Sequence, residues 1–235
     1  RSGWRCLRQD NPGRFEIIGL LLDDLDPESS LGDVAAWAHE AFPDLAWGVA
    51  GSSSGGYLAM ALAADPFHWG CAIDFSFTLA LCPVADPLAR ANYLRDVIAG
   101  TSDVETRHDP ERARQILASQ LSYFPGGDDQ MREARDLVEN SASYPAWVPT
   151  FVVAGALDKN VPLHVLMPLM GWVDRTLVLG ERGHEIQAVL KDQDYDEIIP
   201  WLREAVRDQE ELEKELLEMQ RIKRSKSCMV TLVFG

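Results

Sequence analysis

The apolar positions of the chain fall into short runs that alternate with longer stretches of helical spacing. The first run, residues 15–22 (FEIIGLLL), is nearly continuous, which is typical of a strand covered by helices on both faces. Residues 29–42 follow with apolar side chains at a helical spacing, and residues 55–64 (GGYLAMALAA) form a second predicted helix. Further strands are predicted at residues 45–50, 75–82, 150–154 and 175–179. This alternation predicts an α/β fold with a mostly parallel central sheet flanked by helices.

The segment at residues 85–147 interrupts the alternation. It has no strand pattern, and two helices are predicted in it. One begins at Asp109, an N-cap residue followed by proline at the first helical position. The other follows the Pro-Gly-Gly turn at residues 125–127. A helical segment inserted between two strands of a sheet predicts a lid over the edge of that sheet.

A second break extends from Asp194 to the end of the sequence. A glutamate-rich helix is predicted at roughly residues 201–222, ahead of an apolar tail, CMVTLVFG. The patterns therefore divide the chain into three parts. These are an irregular N-terminal segment, the α/β domain with its insertion, and an acidic helix with its tail, at residues 1–14, 15–200 and 201–235.

Charge and cysteine content exclude several classes of function. The formal net charge is −15, and a nucleic-acid backbone would repel such a surface. No apolar run reaches the roughly 18 residues that a membrane span needs. The four cysteines have no metal-ligand spacing, and a chain of 235 residues needs no disulfides. We therefore expect Cys71 and Cys82 to be buried free thiols in a reducing cytoplasm, with the oligomeric state left open.

The most informative motif is Gly-Ser-Ser-Ser-Gly at residues 51–55, which fits G-x-S-x-G with Ser53 at its centre. A predicted strand runs into it and a predicted helix of small residues runs out of it. Such a tight turn strains the central residue, so glycines are needed beside it. The strain would hold the Ser53 hydroxyl above the strand end as a nucleophile. The N–H of Ser54 would face a developing oxyanion, and Ser52 is assigned to the same oxyanion and substrate-binding set.

An alternative interpretation makes the same five residues a glycine-rich turn whose serines only cap the helix. Serine is a preferred N-cap residue, and three adjacent serines fit that role. A serine nucleophile, however, needs a histidine to take its proton and a carboxylate to orient the histidine. The residues that follow the later strands therefore distinguish the two interpretations.

Asp158 and His184 occupy the positions where these partners belong. Asp158 lies in the loop after the strand at residues 150–154, and His184 lies in the loop after the strand at residues 175–179. The chain order of serine, acid and histidine is that of α/β-hydrolases. Asp174 precedes a strand and is the poorer candidate for the acid, and Asp158 also fits an ordinary turn-capping role. The remaining histidines do not follow a strand suitably: His39, His68, His108 and His164.

With these residues in place, the chain resembles the α/β-hydrolase superfamily, and within it the hormone-sensitive-lipase-like carboxylesterases of the fold-3 type. The resemblance covers roughly residues 15–200. Besides the serine motif, it rests on four short segments, which are Leu25-x-Pro27-Glu28-Ser29, Pro83-Val84-Ala85-Asp86-Pro87, Gly155-Ala156-Leu157-Asp158 and Gly183-His184. It implies an α/β-hydrolase fold and a catalytic triad of Ser53, Asp158 and His184.

The chain departs from the family pattern in two places. Leu22, Asp23 and Asp24 stand at the positions of the family's Asp-Tyr-Arg segment. The aromatic and the basic residue of that segment are therefore missing. The HGGG motif that completes the family's oxyanion hole is absent, as are the strands expected before residue 15. Losing one oxyanion donor costs on the order of a hundred- to a thousand-fold in rate. We therefore expect a weakened oxyanion hole.

The function predicted from these features is hydrolysis of a small-molecule carboxylic ester through an acyl-enzyme, with no cofactor and no metal. Tyr93, Tyr123 and Phe124 of the insertion are candidates to line the substrate pocket, although each also fits the core of the lid. The alternative function is that of a weak or inactive homologue that acts as a binding or interaction protein. The missing HGGG motif favours this alternative, and the retained triad argues against it.

Overall fold

The computed structural model describes residues 5–7, 17–19, 40, 47–65, 75–103, 107–139, 148–184 and 192–230. Its strands are β1 (Arg5–Leu7), β2 (Ile17–Gly19), β3 (Trp47–Ser52), β4 (Phe75–Leu81), β5 (Thr150–Gly155) and β6 (Arg175–Leu179). Its helices are α1 (Ser54–Ala64), α2 (Pro87–Ala99), α3 (Pro110–Tyr123), α4 (Gly127–Glu139), α5 (Leu163–Met170) and α6 (Asp192–Val230). The predicted fold class, mixed α/β with a parallel sheet flanked by helices, is confirmed.

The main sheet has the strand order β3-β4-β5-β6, and each neighbouring pair is parallel. Its register places Ser52 opposite Leu81, Leu81 opposite Val153, and Gly155 opposite Leu179. The carboxyl ends of all four strands therefore reach the same edge of the sheet. The short strands β1 and β2 form a separate antiparallel pair. Strand β1 lies within residues 1–14, where the sequence pattern predicts an irregular segment and no strand.

Strand burial follows from the position of each strand in this sheet. Strand β5 lies between two partners and is buried at every residue, as its unbroken sequence Thr-Phe-Val-Val-Ala-Gly suggests. Helix α1 packs on β3 and β4, and its alanines allow a close approach. Helix α5 packs on β5, and Leu166 and Leu169 on this helix are buried in the main core cluster.

Among the described residues between β4 and β5 there are three helices, rather than the two predicted. The additional helix is α2, which packs against both α3 and α4. It begins after Asp86, whose carboxylate accepts a hydrogen bond from the N–H of Ala89 at 2.7 Å, and Pro87 is its first residue. This is the same Asp-Pro signature that correctly predicted α3 at Asp109, so the signal for α2 is present in the sequence. Whether the segment acts as a lid stays a prediction.

The chain divides into two units, Arg1–Leu190 and Lys191–Gly235. The second unit contains α6, which begins at Asp192 rather than near Trp201, where the sequence pattern placed its start. Helix α6 continues through Pro200, although proline lacks the N–H that a helix interior uses. The predicted start therefore missed the turns that precede this proline.

Some of the predicted features lie outside the described residues. Of the predicted strand at residues 15–22 only β2 is described, and of the predicted helix at residues 29–42 only Glu40, which is helical. The resemblance segment at residues 25–29 and Cys71 lie outside the described part of the chain. Among the residues described, no helix is both long enough and apolar enough to cross a membrane.

Candidate active site

Four side chains with nucleophilic or titratable groups follow the four parallel strands, one after each, at the shared edge of the sheet. Ser53 follows β3, Cys82 follows β4, Asp158 follows β5 by a short turn, and His184 follows β6. Ligands and catalytic groups of open α/β sheets collect at the carboxyl ends of the strands. The sheet therefore brings residues from distant parts of the sequence to one place.

Ser53 has the strained backbone that the sequence motif predicts. Its φ is 56° and its ψ is −121°, a conformation that a residue with a Cβ adopts only at a cost of about 1–3 kcal/mol. Backbone hydrogen bonds hold it there: its N–H donates to the Leu81 carbonyl at 2.9 Å, and its carbonyl accepts from Val84 at 3.1 Å and Tyr57 at 3.2 Å. The Ser53 side chain makes no capping hydrogen bond to α1. The helix-cap interpretation thus does not account for its hydroxyl.

Gly51 lets the strand approach the helix closely at this turn. A Cβ at Gly51 would lie 2.0 Å from the carbonyl oxygen of Gly55 and 2.3 Å from its carbonyl carbon. Both atoms are backbone atoms in the first turn of α1, so no side-chain rotation relieves the overlap. The structure therefore requires glycine at residue 51 for a reason of packing as well as of turn geometry.

We expect Gly51→Ala to lower the free energy of unfolding by about 3 kcal/mol, the upper end of the usual cost of overpacking, because the added methyl forces β3 and α1 apart. Gly171→Ala is the matched control, since a Cβ there would meet only the Pro168 carbonyl oxygen at 3.7 Å. The control should stay within about 0.5 kcal/mol of the original protein. Urea denaturation of the three proteins measures both changes. Equal midpoints for Gly51→Ala and the original protein would contradict the packing argument.

His184 lies between Ser53 and Asp158 and contacts both. Its Nε2 is 2.7 Å from Ser53 Oγ, and its Nδ1 is 2.8 Å from Asp158 Oδ2. In the tautomer that carries its proton on Nδ1, the ring donates to the carboxylate and accepts from the serine hydroxyl. The Asp158 side chain has no exposed surface, and that of His184 is 17% exposed. Of the three side chains, the Asp158 carboxylate is therefore the most buried, and Ser53 is partly exposed.

The Asp158 carboxylate is fixed by three donors. Besides His184 on Oδ2, the N–H groups of Asn160 and Val161 donate to Oδ1 at 2.7 Å and 2.9 Å. Burial by itself would raise the pKa of Asp158, but the hydrogen bond and the charge of His184, together with the N–H of Val161, bring it below its usual range. Asp158 is therefore ionised at neutral pH and in a single orientation.

Cys82 is a member of this cluster that the sequence argument placed only as a buried thiol. It is fully buried, as predicted, and its Sγ lies 3.9 Å from the carbonyl oxygen of Gly183. Gly183 is the residue before His184. Burial raises the pKa of Cys82, and the negative charge of Asp158 raises it further, so the thiol is neutral. Its position directly after β4 is the signal that could have found it, since every strand of a parallel sheet ends at this edge.

Cys82 Sγ, an Asp158 carboxylate oxygen and a His184 ring nitrogen all lie within 4.8 Å of one another. In the described part of the chain this is the one group of three or more residues spaced so that they could hold a metal ion. Cysteine, aspartate and histidine are zinc ligands in other proteins. Here, however, the imidazole and the carboxylate share a hydrogen bond with each other at 2.8 Å. We therefore interpret the group as hydrogen-bonded side chains.

The other predicted site residues differ in how exposed they are to solvent. Ser52 is half-buried at the end of β3, and Ser54 is exposed as the first residue of α1, where its N–H has no intrahelical acceptor. Tyr93 is buried in the main core cluster, and its hydroxyl donates to the Lys159 carbonyl at 3.0 Å. Tyr123 is 71% exposed and Phe124 is half-buried at the end of α3. Their roles in binding a substrate stay predictions.

The alternative acid and bases lie elsewhere. Asp174 precedes β6, and its carboxylate accepts a hydrogen bond from the N–H of Thr150, the first residue of β5, at 2.8 Å. It therefore lies at the edge of the sheet opposite to Ser53. His108 Nε2 is 2.7 Å from Asn160 Oδ1, and the His164 ring packs edge-on against Tyr93. His39 and His68 are outside the described residues.

No protein-family model matches this sequence, and no curated protein matches it. Several solved structures are similar to the chain. A thermophilic esterase from Thermogutta terrifontis has 20% identity and a TM-score of 0.42, over 74% of this chain and 70% of that one. A monoacylglycerol lipase from Paleococcus ferrophilus has 15% identity and a TM-score of 0.44, over 75% and 76%. An acylaminoacyl peptidase from Pyrococcus horikoshii has 14% identity and a TM-score of 0.43, and the match covers 64% of this chain but only 22% of the peptidase. The hormone-sensitive-lipase-like subtype stays a prediction from the sequence.

Proposed function

We propose that the chain is a serine hydrolase that cleaves carboxylic esters through an acyl-enzyme. The observation that supports this most is the position of His184, which bridges Ser53 Oγ at 2.7 Å and Asp158 Oδ2 at 2.8 Å. Nucleophile, base and orienting acid are recognised by this geometry rather than by sequence position. The strained backbone of Ser53 and the burial of Asp158 support the same assignment.

In the first half of the reaction, Ser53 Oγ attacks the carbonyl carbon of the ester and forms a new C–O bond. His184 Nε2 takes the hydroxyl proton as this bond forms, and Asp158 stabilises the imidazolium through Nδ1. The bond between the carbonyl carbon and the alcohol oxygen then breaks, and the imidazolium gives its proton to the leaving alcohol. The product of this half is an ester of Ser53.

In the second half, water takes the place of the alcohol. His184 Nε2 removes a proton from the water as the oxygen attacks the acyl carbon, and returns it to Ser53 Oγ as the acyl bond breaks. A carboxylic acid leaves and the serine is restored. The fixed carboxylate of Asp158 serves both halves, because the histidine becomes charged in each of them.

The negative charge that develops on the carbonyl oxygen needs donors near Ser53. The Ser54 N–H is the proposed donor, since it is at the first position of α1 and has no acceptor within the helix. The aligned peptide dipoles of the helix favour negative charge at the same place. Ester specificity is carried by the sequence resemblance to carboxylesterases, and these steps use no cofactor.

The nucleophile is tested with a fluorophosphonate probe, which reacts covalently with an activated serine without requiring knowledge of the natural substrate. We expect one adduct per chain, located at Ser53 by mass spectrometry, and no adduct in Ser53→Ala. Ser52→Ala and Ser54→Ala are matched controls that change the neighbouring hydroxyls and keep all backbone N–H groups. Both should be labelled like the original protein.

Two results would overturn the proposal. Labelling that persists in Ser53→Ala would move the nucleophile to another residue. A folded protein that takes up no probe, and that hydrolyses no p-nitrophenyl ester, would instead support the binding-protein alternative. Circular dichroism of each variant establishes that the fold is intact.

A further inference from the structure

The loop that carries Asp158 is anchored from outside by three side chains of the helical insertion. Tyr93 on α2 donates to the Lys159 carbonyl at 3.0 Å, and Arg90 on α2 donates through Nε to the Asn160 carbonyl at 2.9 Å. His108, just before α3, contacts the Asn160 side-chain oxygen through Nε2 at 2.7 Å. Two consecutive residues of the loop are therefore held by groups far away in the sequence.

Arg90 is the unusual member of this group because it is a buried charge. Only 7% of its surface is exposed, and its described hydrogen-bond acceptors are neutral: the Asn160 carbonyl and Gln120 Oε1, the latter 3.0 Å from Nη1. Gln120 is 5% exposed and is held in turn by donating to the Pro87 carbonyl at 2.6 Å. Burying a guanidinium in this way is costly unless its donors are satisfied.

The guanidinium remains charged despite this burial. Burial lowers the pKa of Arg90 to about 10, and the negative charge of nearby Asp158 acts in the opposite direction. At neutral pH the side chain therefore presents rigid donors with a full positive charge. Nε donates to the loop after β5 and Nη1 donates to Gln120 of α3, so one planar group joins the insertion to the loop.

A short chain of contacts connects Arg90 to the acid of the site. Arg90 fixes the carbonyl of Asn160, and the N–H of the same residue donates to Asp158 Oδ1 at 2.7 Å. The N–H of Val161, on the far side of that carbonyl's peptide unit, donates to Oδ1 as well, at 2.9 Å. A shift of the Asn160–Val161 peptide would therefore move the carboxylate that orients His184.

We propose that Arg90 is a positioning residue that fixes the Asp158 carboxylate through the backbone of Asn160, so that the helical insertion sets the geometry of the site. This inference rests on the proposed function for its catalytic consequence. Its structural part, the anchoring of the loop, stands by itself and is measured separately.

The test compares Arg90→Met, which removes the charge and both hydrogen bonds, with Arg90→Lys. The lysine keeps the charge but lacks the planar guanidinium that reaches both acceptors at once. Arg95→Met is the matched control on the same helix, since the Arg95 side chain is only partly buried and pairs with Asp128 on the surface. We expect the rate of fluorophosphonate labelling at Ser53 to fall about 100-fold in Arg90→Met, because misplacing a catalytic group by about 1 Å costs that much. Arg90→Lys should fall about tenfold, and Arg95→Met should not change.

Hydrogen exchange of the amides of Asn160 and Val161 gives a readout that is independent of activity. Both amides donate to Asp158, and we expect them to exchange faster in Arg90→Met than in the Arg95→Met control. The expected increase exceeds that of the remaining amides, which a general loss of stability would raise together. If Arg90→Met fails to fold, the labelling rate at Ser53 and the exchange of these two amides in Arg90→Lys test the inference instead.

The outcomes separate this inference from the proposed function. Absence of labelling in the unaltered protein would overturn the proposed function, and selective exchange at residues 160–161 would then still support the anchoring. Labelling at the original rate with unchanged exchange at these residues in the folded Arg90 variants would overturn the inference. A uniform rise in exchange throughout the chain would also overturn it, since it would show a merely structural role.

Discussion

Replacing His184 by alanine is expected to lower kcat for p-nitrophenyl butyrate by a factor on the order of 10⁶. The reason is that Nε2 of this ring, 2.7 Å from Ser53 Oγ, is the proposed base, and a serine hydroxyl is a poor nucleophile at neutral pH. Because base and nucleophile act as one unit, Ser53→Ala should cost about as much. The double variant should be no slower than either single variant. Initial rates at saturating ester measure this.

The matched control is His164→Ala, which removes an exposed imidazole on α5. Its activity should equal that of the original protein. Free imidazole added to His184→Ala provides a second control, since it can enter the space left by the ring and restore part of the rate without restoring it in Ser53→Ala. A His184→Ala protein that keeps more than about a tenth of the activity would contradict the assigned role, since a positioned general base contributes at least about a hundredfold.

The parts of this site that could be predicted from the sequence are those encoded by local pattern. The strand at residues 175–179 was predicted with the bounds that the structure gives it, and the glycine-flanked serine was recognised from five residues. Because parallel strands end at one edge, three separate strand ends were enough to place Ser53, Asp158 and His184 near one another. The parallel order of the strands therefore allows three local sequence patterns to predict that three distant residues lie close together.

The parts that were missed depend on contacts between distant residues. Cys82 could have been placed at the same edge by the same argument, but its contact with the Gly183 carbonyl is set by the three-dimensional path of the loop after β6. The contact of Arg90 with Asn160 joins residues 70 positions apart, and no periodicity encodes it. An arginine on a helix is usually exposed, and so its burial becomes visible only when the neighbouring helices are in place.

Asp158→Asn is expected to lower kcat on the same ester by a factor of about 10⁴ while leaving the fold intact. An asparagine at this position can keep the hydrogen bonds from Asn160 and Val161 through its amide oxygen, so the turn is preserved. Its NH₂ group, however, would donate to His184 Nδ1 and drive the ring proton to Nε2. In that tautomer Nε2 no longer accepts from Ser53, and the neutral amide no longer stabilises the imidazolium.

Asp174→Asn is the matched control, because Asp174 also accepts a backbone N–H next to β5 but lies at the opposite edge of the sheet. It should retain the activity of the original protein within about twofold, a difference of only about 0.4 kcal/mol. If Asp174→Asn lost activity and Asp158→Asn kept it, the acid would be wrongly assigned. If both variants kept the activity of the original protein, His184 would work without a carboxylate. The melting temperature of each variant, measured alongside kcat, separates these results from a loss of folded protein.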